Sequence, residues 1–280
     1  AMELQSEPSR ATPVSVVIVN YNGRHHLEKC LPSVARTANV PVEVIVADNG
    51  STDDSLEWVR HHHPNVRILD LGANLGFGEA NRRGIEAASS QYVALLNNDT
   101  VVEPAWLHEM LRVLMADPTV GAACSTLHFM QHPGVLNGRG GGMSKLGYGF
   151  DHDAACPAET GEEIPAVRDV LFPTAAAMLM RKRDFGECGG FDQSYFMYHE
   201  DVDLGWRLWL LGWRVVVVRD SIVHHHFGGT TAKIQSLAWR ERLGSRHNVR
   251  TILKHYEWLN VARAFKGLLK FWLGIGAYRH

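Results

Sequence analysis

Three polar clusters in this 280-residue chain offer chemistry that ordinary turns and helix ends do not require. Residues 95–100 read Leu-Leu-Asn-Asn-Asp-Thr, an apolar run that ends in Asn97, Asn98 and Asp99. The Asp99 carboxylate is a hard oxygen donor of the kind that Mg2+ or Mn2+ prefers. Asn and Asp also dominate turns, so this cluster alone suits a turn equally well. Residues 199–207 read His-Glu-Asp-Val-Asp-Leu-Gly-Trp-Arg, with three carboxylates at the start of an expected helix. The helix dipole stabilises ionised acids there. The preceding Tyr195-Phe196-Met197-Tyr198 is aromatic and apolar, which is unusual for a solvent-facing cap. A carboxyl beside such a surface has its pKa raised, and it then suits work as a general base. The third cluster is His224-His225-His226, followed by Phe227-Gly228-Gly229-Thr230. Neutral imidazole is a common transition-metal ligand. The other triplet, His61–His63 before Pro64, reads as a solvated helix end.

The elements that must hold these clusters follow from periodicity. Val14–Val19 is a β-branched run and reads as a buried strand, broken by Asn20-Tyr21-Asn22-Gly23. A helix is expected over 24–36, a second buried strand over 42–47, and a helix over 53–62 capped by Ser51 or Thr52. A third strand over 66–71 leads into the glycine-rich loop 72–78, then a helix over 79–88 and a fourth strand over 92–96. This alternation implies an α/β fold with a mostly parallel sheet covered by helices on both faces. Ligands of such sheets bind beyond the carboxyl ends of the strands. The clusters 20–22, 48–51, 74–78 and 97–100 all fall at those ends, and their convergence is a stronger signal than any one motif. The second half is less regular. Residues 134–149 read as a loop or mobile flap, 151–165 as a surface loop, and 170–181 as extended chain. A helix within 198–211 and short extended pieces at 215–218 and 221–223 complete it.

The bulk numbers exclude several classes. A net charge of −2 argues against a nucleic-acid binder. Cysteines at 30, 124, 156 and 188 form neither a disulfide framework nor a zinc motif, and a reducing, cytoplasmic setting is the simplest expectation. The N-terminal segment 1–13 is polar and does not resemble a signal peptide; its opening Ala-Met reads as a cloning scar.

With these residues in view, the chain resembles the family 2 glycosyltransferases of GT-A fold, in particular their bacterial rhamnosyltransferase-like branch. The resemblance is carried by VSVVIVNYNG (14–23), VIVADNGSTDDS (44–55), GANLGFGEANRRGI (72–85), YVALLNNDT (92–100) and GGFDQSYFMYHEDVDLGWRLWLLGW (189–213). It implies a Rossmann-like mixed sheet and an inverting, metal-dependent transfer from a nucleoside diphosphate sugar, dTDP-rhamnose or a UDP-hexose, to a glycan or polyprenyl-linked acceptor. By the same resemblance Asn20, Tyr21 and Asn22 meet the donor base and ribose, Asp48 meets the ring imide, and Asn74 lies against the nucleotide. Asn97 and Asn98 precede Asp99, which binds Mg2+ or Mn2+ with a histidine, His224 or His226. Asp201 is the catalytic base, with Glu200 its competitor. The family's metal motif often begins with Asp, whereas Asn97 stands here, so the site carries less formal charge.

The implied layout is a tail over 1–13, a catalytic domain over 14–235 with a nucleotide-binding half over 14–103 and an acceptor-side half over 104–235, and a basic amphipathic helical extension over 236–280. Residues 240–280 hold nine Lys or Arg and two Glu, a local charge of +7. Leu259, Ala262, Phe265, Leu268, Leu269, Trp272 and Leu273 recur at helical spacing. Such a helix either lies on an anionic membrane or packs on the domain with a solvated basic face. Three other functions compete. A dehydrogenase is disfavoured because Gly72, Gly76 and Gly78 do not give GxGxxG after the first strand. A sugar-1-phosphate nucleotidyltransferase wants a glycine-rich basic loop at 20–23. A non-catalytic module requires the acids at 200–201 to be a mere helix cap.

Overall fold

The computed structural model describes residues 12–158, 164–226 and 236–273. Most of the expected tail, residues 159–163 of the expected surface loop, and the Phe227–Thr230 element lie outside the described residues.

The first half follows the expected alternation: β1 (Val14–Asn20), α1 (Arg24–Val34), β2 (Val42–Asp48), α2 (Ser55–His62), β3 (Arg67–Asp70), α3 (Phe77–Ala87) and β4 (Tyr92–Asn97). β1 pairs in parallel with both β2 and β4, and β2 pairs in parallel with β3. Strand period two then sorts the side chains. Val14, Val16 and Ile18 join Leu27 and Leu31 of α1 in one core layer, while Val17 joins Ile85 of α3 in the other. The α2 cap differs from expectation. Its N-cap is Asp54, which makes no side-chain capping bond, and Asp53 Oδ1 accepts from Ser55 N at 3.1 Å; Ser51 Oγ accepts from Asn22 N instead, and Thr52 N donates to Asn22 Oδ1.

The second half supplies β5 (Thr100–Val102), α4 (Trp106–Ala116), β6 (Val120–Phe129), β7 (Leu136–Gly138), β8 (Gly141–Met143), β9 (Gly149–Asp151), β10 (Val167–Asp169), β11 (Ala177–Arg181), α5 (Lys182–Glu187), α6 (Glu200–Leu210) and β12 (Arg214–His225). The sheet order is β10-β12-β6-β11-β4-β1-β2-β3, and β11 runs antiparallel to both its neighbours. The result is the mostly parallel, mixed sheet flanked by helices that the sequence predicts. Trp106, Leu107 and Met110 of α4 cover the β1 even-numbered face, whereas Phe185 of α5 and Leu204 and Leu208 of α6 cover the other.

Two expectations are corrected. Residues 134–149 are not an open flap. They form β7, β8 and the start of β9, and their glycines answer to packing: a Cβ on Gly141 would stand 1.9 Å from the Phe172 ring, and one on Gly138 would stand 2.7 Å from Asp151 Cβ. The pieces at 215–218 and 221–223 are one strand, β12, with an irregularity in register between Val218 and Ile222.

Two helices follow, α7 (Leu237–His255) and α8 (Trp258–Trp272). Ser236 caps α7, its Oγ accepting from Trp239 N at 3.2 Å. α7 buries His247, Asn248, Thr251 and Ile252. It is fixed to α6 by Asp203, fully buried, whose carboxylate meets Arg207, Lys254 Nζ at 2.6 Å and His255 Nε2 at 2.7 Å. α8 lays Val261, Ala264 and Leu268 over Leu146 and Ile252. Among the described residues no helix is long and apolar enough to cross a membrane.

The seat of α6 depends on Gly205. A Cβ there would lie 2.5 Å from both Leu171 O and Phe172 Cα, which are backbone atoms that cannot rotate away. Gly205→Ala is expected to destabilise the fold by about 1–3 kcal/mol, as overpacking does. A urea unfolding midpoint unchanged from wild type would refute this reading of the contact.

Candidate active site

The carboxyl ends of β1, β2 and β4 are held together by a buried hydrogen-bonded clasp. Asn20 Nδ2 donates to Asp48 Oδ2 and to Ser51 Oγ, both at 3.1 Å, and Asn20 Oδ1 accepts from Asn98 Nδ2 at 2.9 Å. Asp48 Oδ1 accepts from Ser51 N at 2.8 Å. Asn20 and Asp48 are buried, so the clasp replaces solvation that both groups lose. Asn22 sits at φ 50°, a conformation Asn tolerates, and its Oδ1 accepts from the backbone N–H groups of Thr52 and Asp53.

In front of the clasp lies a cleft of about 670 Å3, lined by Tyr21, Asn49, Asn74, Asn97, Asn98 and Asp99 on the side of the first strands. The lining continues through Asp151, Thr174, Ala175, Glu200 and Asp201, with His225 beside Asp99 and Trp239 and Glu241 from α7. The volume falls within the range of small-molecule and cofactor sites. Tyr21, Asn74, Asn97, Asn98, Asp99, Glu200 and Asp201 thus meet as the sequence predicts. Asn20, Asn22 and Asp48 do not line the cleft; they build its floor from behind. Asn49, one residue beyond Asp48, takes the forward position, donating to Asn74 Oδ1 at 3.0 Å and accepting from Leu75 N at 2.8 Å.

The acid pair is aimed by an unusual entry into α6. Tyr198 and His199 both adopt left-handed backbone conformations, φ 69° and 70°. Such residues persist only where the surroundings hold them. Here α7 does so: His247 Nδ1 bonds Tyr198 O at 2.9 Å, and Thr251 Oγ1 bonds both His199 Nδ1 at 3.3 Å and Tyr195 OH at 3.0 Å. The turn places Glu200 and Asp201 at the helix N-terminus. Asp201 Oδ1 accepts from Val202 N at 2.8 Å and Oδ2 from Ala175 N at 3.4 Å. Burial, and then the charge of Asp151, push the Asp201 pKa up to about 6. Burial, and then the charge of Asp201, push Glu200 well above the usual carboxylate range, and its buried Oε2 makes no hydrogen bond. Burial also raises Asp151, against a hydrogen bond from Thr174 Oγ1 at 3.2 Å.

At the β4 end, Asp99 faces His225, with Nε2 and Oδ1 3.3 Å apart. This corrects the expectation for the histidine triplet. In β12 successive side chains alternate, so His225 shares the face of buried Val223 and enters the cleft. His224 turns away and bonds Glu103 Oε1 at 2.8 Å, while His226 donates its backbone N–H to Asp99 O at 2.8 Å and packs near His26. The sequence carried the signal, two positions on from an apolar core residue. Asp151 had no such signal, since its neighbourhood reads as a surface loop.

Asp99 and His225 fit a divalent cation. His225 Nδ1 lies 2.7 Å from Asn137 Oδ1, which fixes the ring proton on Nδ1 and turns the Nε2 lone pair toward Asp99. Asp99 Oδ1 is buried and makes no hydrogen bond. Adjacent ligands of an octahedral ion at about 2.1 Å stand about 3 Å apart, close to the separation observed. Among the described residues no three His, Cys, Asp or Glu side chains converge on one point. A cation there would need further ligands from a bound molecule or water.

The chain matches the family described as "Glycosyl transferase family 2" over residues 15–157, and "Glycosyl transferase family group 2" over residues 92–243. It is 34% identical over 239 residues to an N-acetylglucosaminyl-diphospho-decaprenol L-rhamnosyltransferase of Mycobacterium tuberculosis, covering 78% of this chain and 77% of that one. It is 31% identical over 232 residues to an O-antigen biosynthesis protein of Myxococcus xanthus, of which it spans only 18%. Among solved structures, a mannosyltransferase from Pyrobaculum calidifontis in complex with GDP-Man and Mn2+ superposes with a TM-score of 0.59 at 15% identity, over 97% of this chain and 86% of that one. GalNAc-T7 with UDP, GalNAc and Mn2+ gives a TM-score of 0.62 at 16% identity, over 76% and 44%. These structures share the fold, which is GT-A. By its family match and its rhamnosyltransferase-like relative, the chain belongs to glycosyl transferase family 2 and is a glycosyltransferase.

Proposed function

We propose that this protein transfers a sugar, with inversion, from a nucleoside diphosphate donor to a hydroxyl of a glycan or polyprenyl-linked acceptor in cell-surface polysaccharide synthesis, at the inner face of the cell membrane. dTDP-rhamnose or a UDP-hexose is the donor, and the rhamnosyl donor accords with the mycobacterial relative. The catalytic domain spans 14–235, and 236–280 extends it. One observation carries the reading. The described residues that line the cleft include five carboxylates, Asp99, Asp151, Glu200, Asp201 and Glu241, and no Lys or Arg. A donor diphosphate meets net repulsion there unless a divalent cation accompanies it.

Asp99 and His225 would hold Mg2+ or Mn2+ against the diphosphate, where the ion supplies Lewis-acid compensation of leaving-group charge. Tyr21, Asn49 and Asn74 flank the nucleotide, and Asn97 and Asn98 offer amide groups to ribose or phosphate. Asp201 accepts the proton of the acceptor hydroxyl as that oxygen attacks the anomeric carbon from the face opposite the leaving group. One displacement inverts the centre. Burial, and then the charge of Asp201, raise the Glu200 pKa well above the usual carboxylate range, and Glu200 stands beside Asp201 as the other candidate for this role.

Four outcomes test this. A thermal-shift screen of dTDP- and UDP-sugars is expected to show stabilisation by one donor that requires Mn2+ or Mg2+; no shift with any donor would sink the reading. Asp201 acts only when ionised, so kcat/KM should fall about tenfold per unit below pH 6 and level off above it. Asp201→Asn should abolish turnover yet keep the donor shift; full activity in that variant removes the assignment. His225→Ala should remove the metal-dependent part of the shift, and Asn137→Ala should weaken half-saturation by metal about 10–100-fold. Unchanged metal titration in both variants would move the ion elsewhere.

A further inference from the structure

Helix α8 carries a wider apolar arc than the protein covers. Val261, Ala264 and Leu268 are buried against Leu146 and Ile252. At about 100° per residue, these three mark one side of the helix. A second stripe, Trp258, Ala262, Phe265, Leu269 and Leu273, lies beside it on the same projection and is exposed. Trp258 is 84% exposed, Leu269 55% and Leu273 60%. Along the outer edge of that stripe run Arg263, Lys266 and Lys270, all exposed, and α8 holds no acid. The helix therefore presents buried apolar, free apolar and cationic sectors in that order.

We infer that the free stripe of α8 docks on an anionic lipid surface, with Trp258, Phe265, Leu269 and Leu273 entering the headgroup boundary and Arg263, Lys266 and Lys270 meeting lipid phosphates. Charge complementarity selects this occupant. A second copy of the chain, pairing stripe to stripe, would bring two cationic rows together, whereas an anionic bilayer answers both the apolar sector and the row beside it. α7 reinforces the sign, with Arg242 and Arg246 exposed. The same helix borders the cleft through Trp239 and Glu241, so docking sets the cleft beside the membrane. That purpose rests on the reading of a lipid-linked acceptor. The docking itself is measured without turnover, so the two fail separately.

The test is flotation of the full chain with phosphatidylcholine vesicles, with and without phosphatidylglycerol, alongside sedimentation of the chain alone. Binding is expected only with phosphatidylglycerol and should weaken with salt. Lys266→Glu with Lys270→Glu should lower binding by about fivefold per cation removed, hence roughly 25-fold or more. Phe265→Ser with Leu269→Ser, both on exposed positions, should lose at least about tenfold at an unchanged melting temperature. No binding by wild type, equal binding to both vesicle types, or variants that bind as wild type would overturn the proposal. So would a stripe-dependent dimer in the sedimentation, because the second copy would then own the surface.

Discussion

Charge sets the terms of this molecule. A cleft that gathers carboxylates from the β4 end, β9 and α6 must either neutralise some of them or recruit a cation, and different parts of the same space suit each. On the α6 side, burial and mutual repulsion push the Asp201 pKa up to about 6 and raise that of Glu200 well above the usual carboxylate range. On the β4 side, Asp99 keeps an unbonded oxygen facing an imidazole whose proton is held by Asn137. The first arrangement makes a proton acceptor whose pKa lies near physiological pH. The second is an oxygen and nitrogen pair that fits a divalent cation. Neither would survive a lysine in the cleft, which would lower the Asp201 pKa and fill the space beside Asp99.

The scaffold spends its strongest polar contacts on keeping these two sides in place. The Asn20–Asp48–Ser51–Asn98 clasp joins three strand ends behind the nucleotide side. Asp203, three positions into the helix that starts with the acid pair, is locked by Arg207, Lys254 and His255. α7 further holds the left-handed Tyr198–His199 turn through His247 and Thr251. A segment that composition marks as a basic extension therefore belongs to the support of the turn that carries the acid pair. Its charge is solvated on one side, while its buried polar residues work on the other.

The β-α alternation of the first half was legible because each element there is short, periodic and bounded by polar turns. The convergence of four loops followed from topology alone. The second half was less so. β6, β11 and β12 pair across long sequence separations, and no local pattern announces an antiparallel strand inserted between parallel ones. The glycines of 134–149 read as flexibility because their sequence shows composition, not neighbours; Phe172 and Asp151, which make them necessary, come from elsewhere in the fold. Asp48 and Asn49 show the resolution limit of motif reading: the pattern finds the loop, and only the backbone decides which of two adjacent side chains faces forward. Asp151 lay beyond reach, since its importance comes from its charge beside Asp201, which sits far away in sequence.

The register irregularity in β12 gives the histidine triplet a meaning beyond ligation. A strand shows alternate residues to each face, so slipping the chain by one position between Val218 and Ile222 would exchange the face of every residue after it. In most strands that exchange would erase a functional side chain. Here His224 or His226 would arrive where His225 now stands, and the imidazole would be kept. The triplet thus keeps an imidazole at this place on the strand through a one-residue change of phase in its bulge.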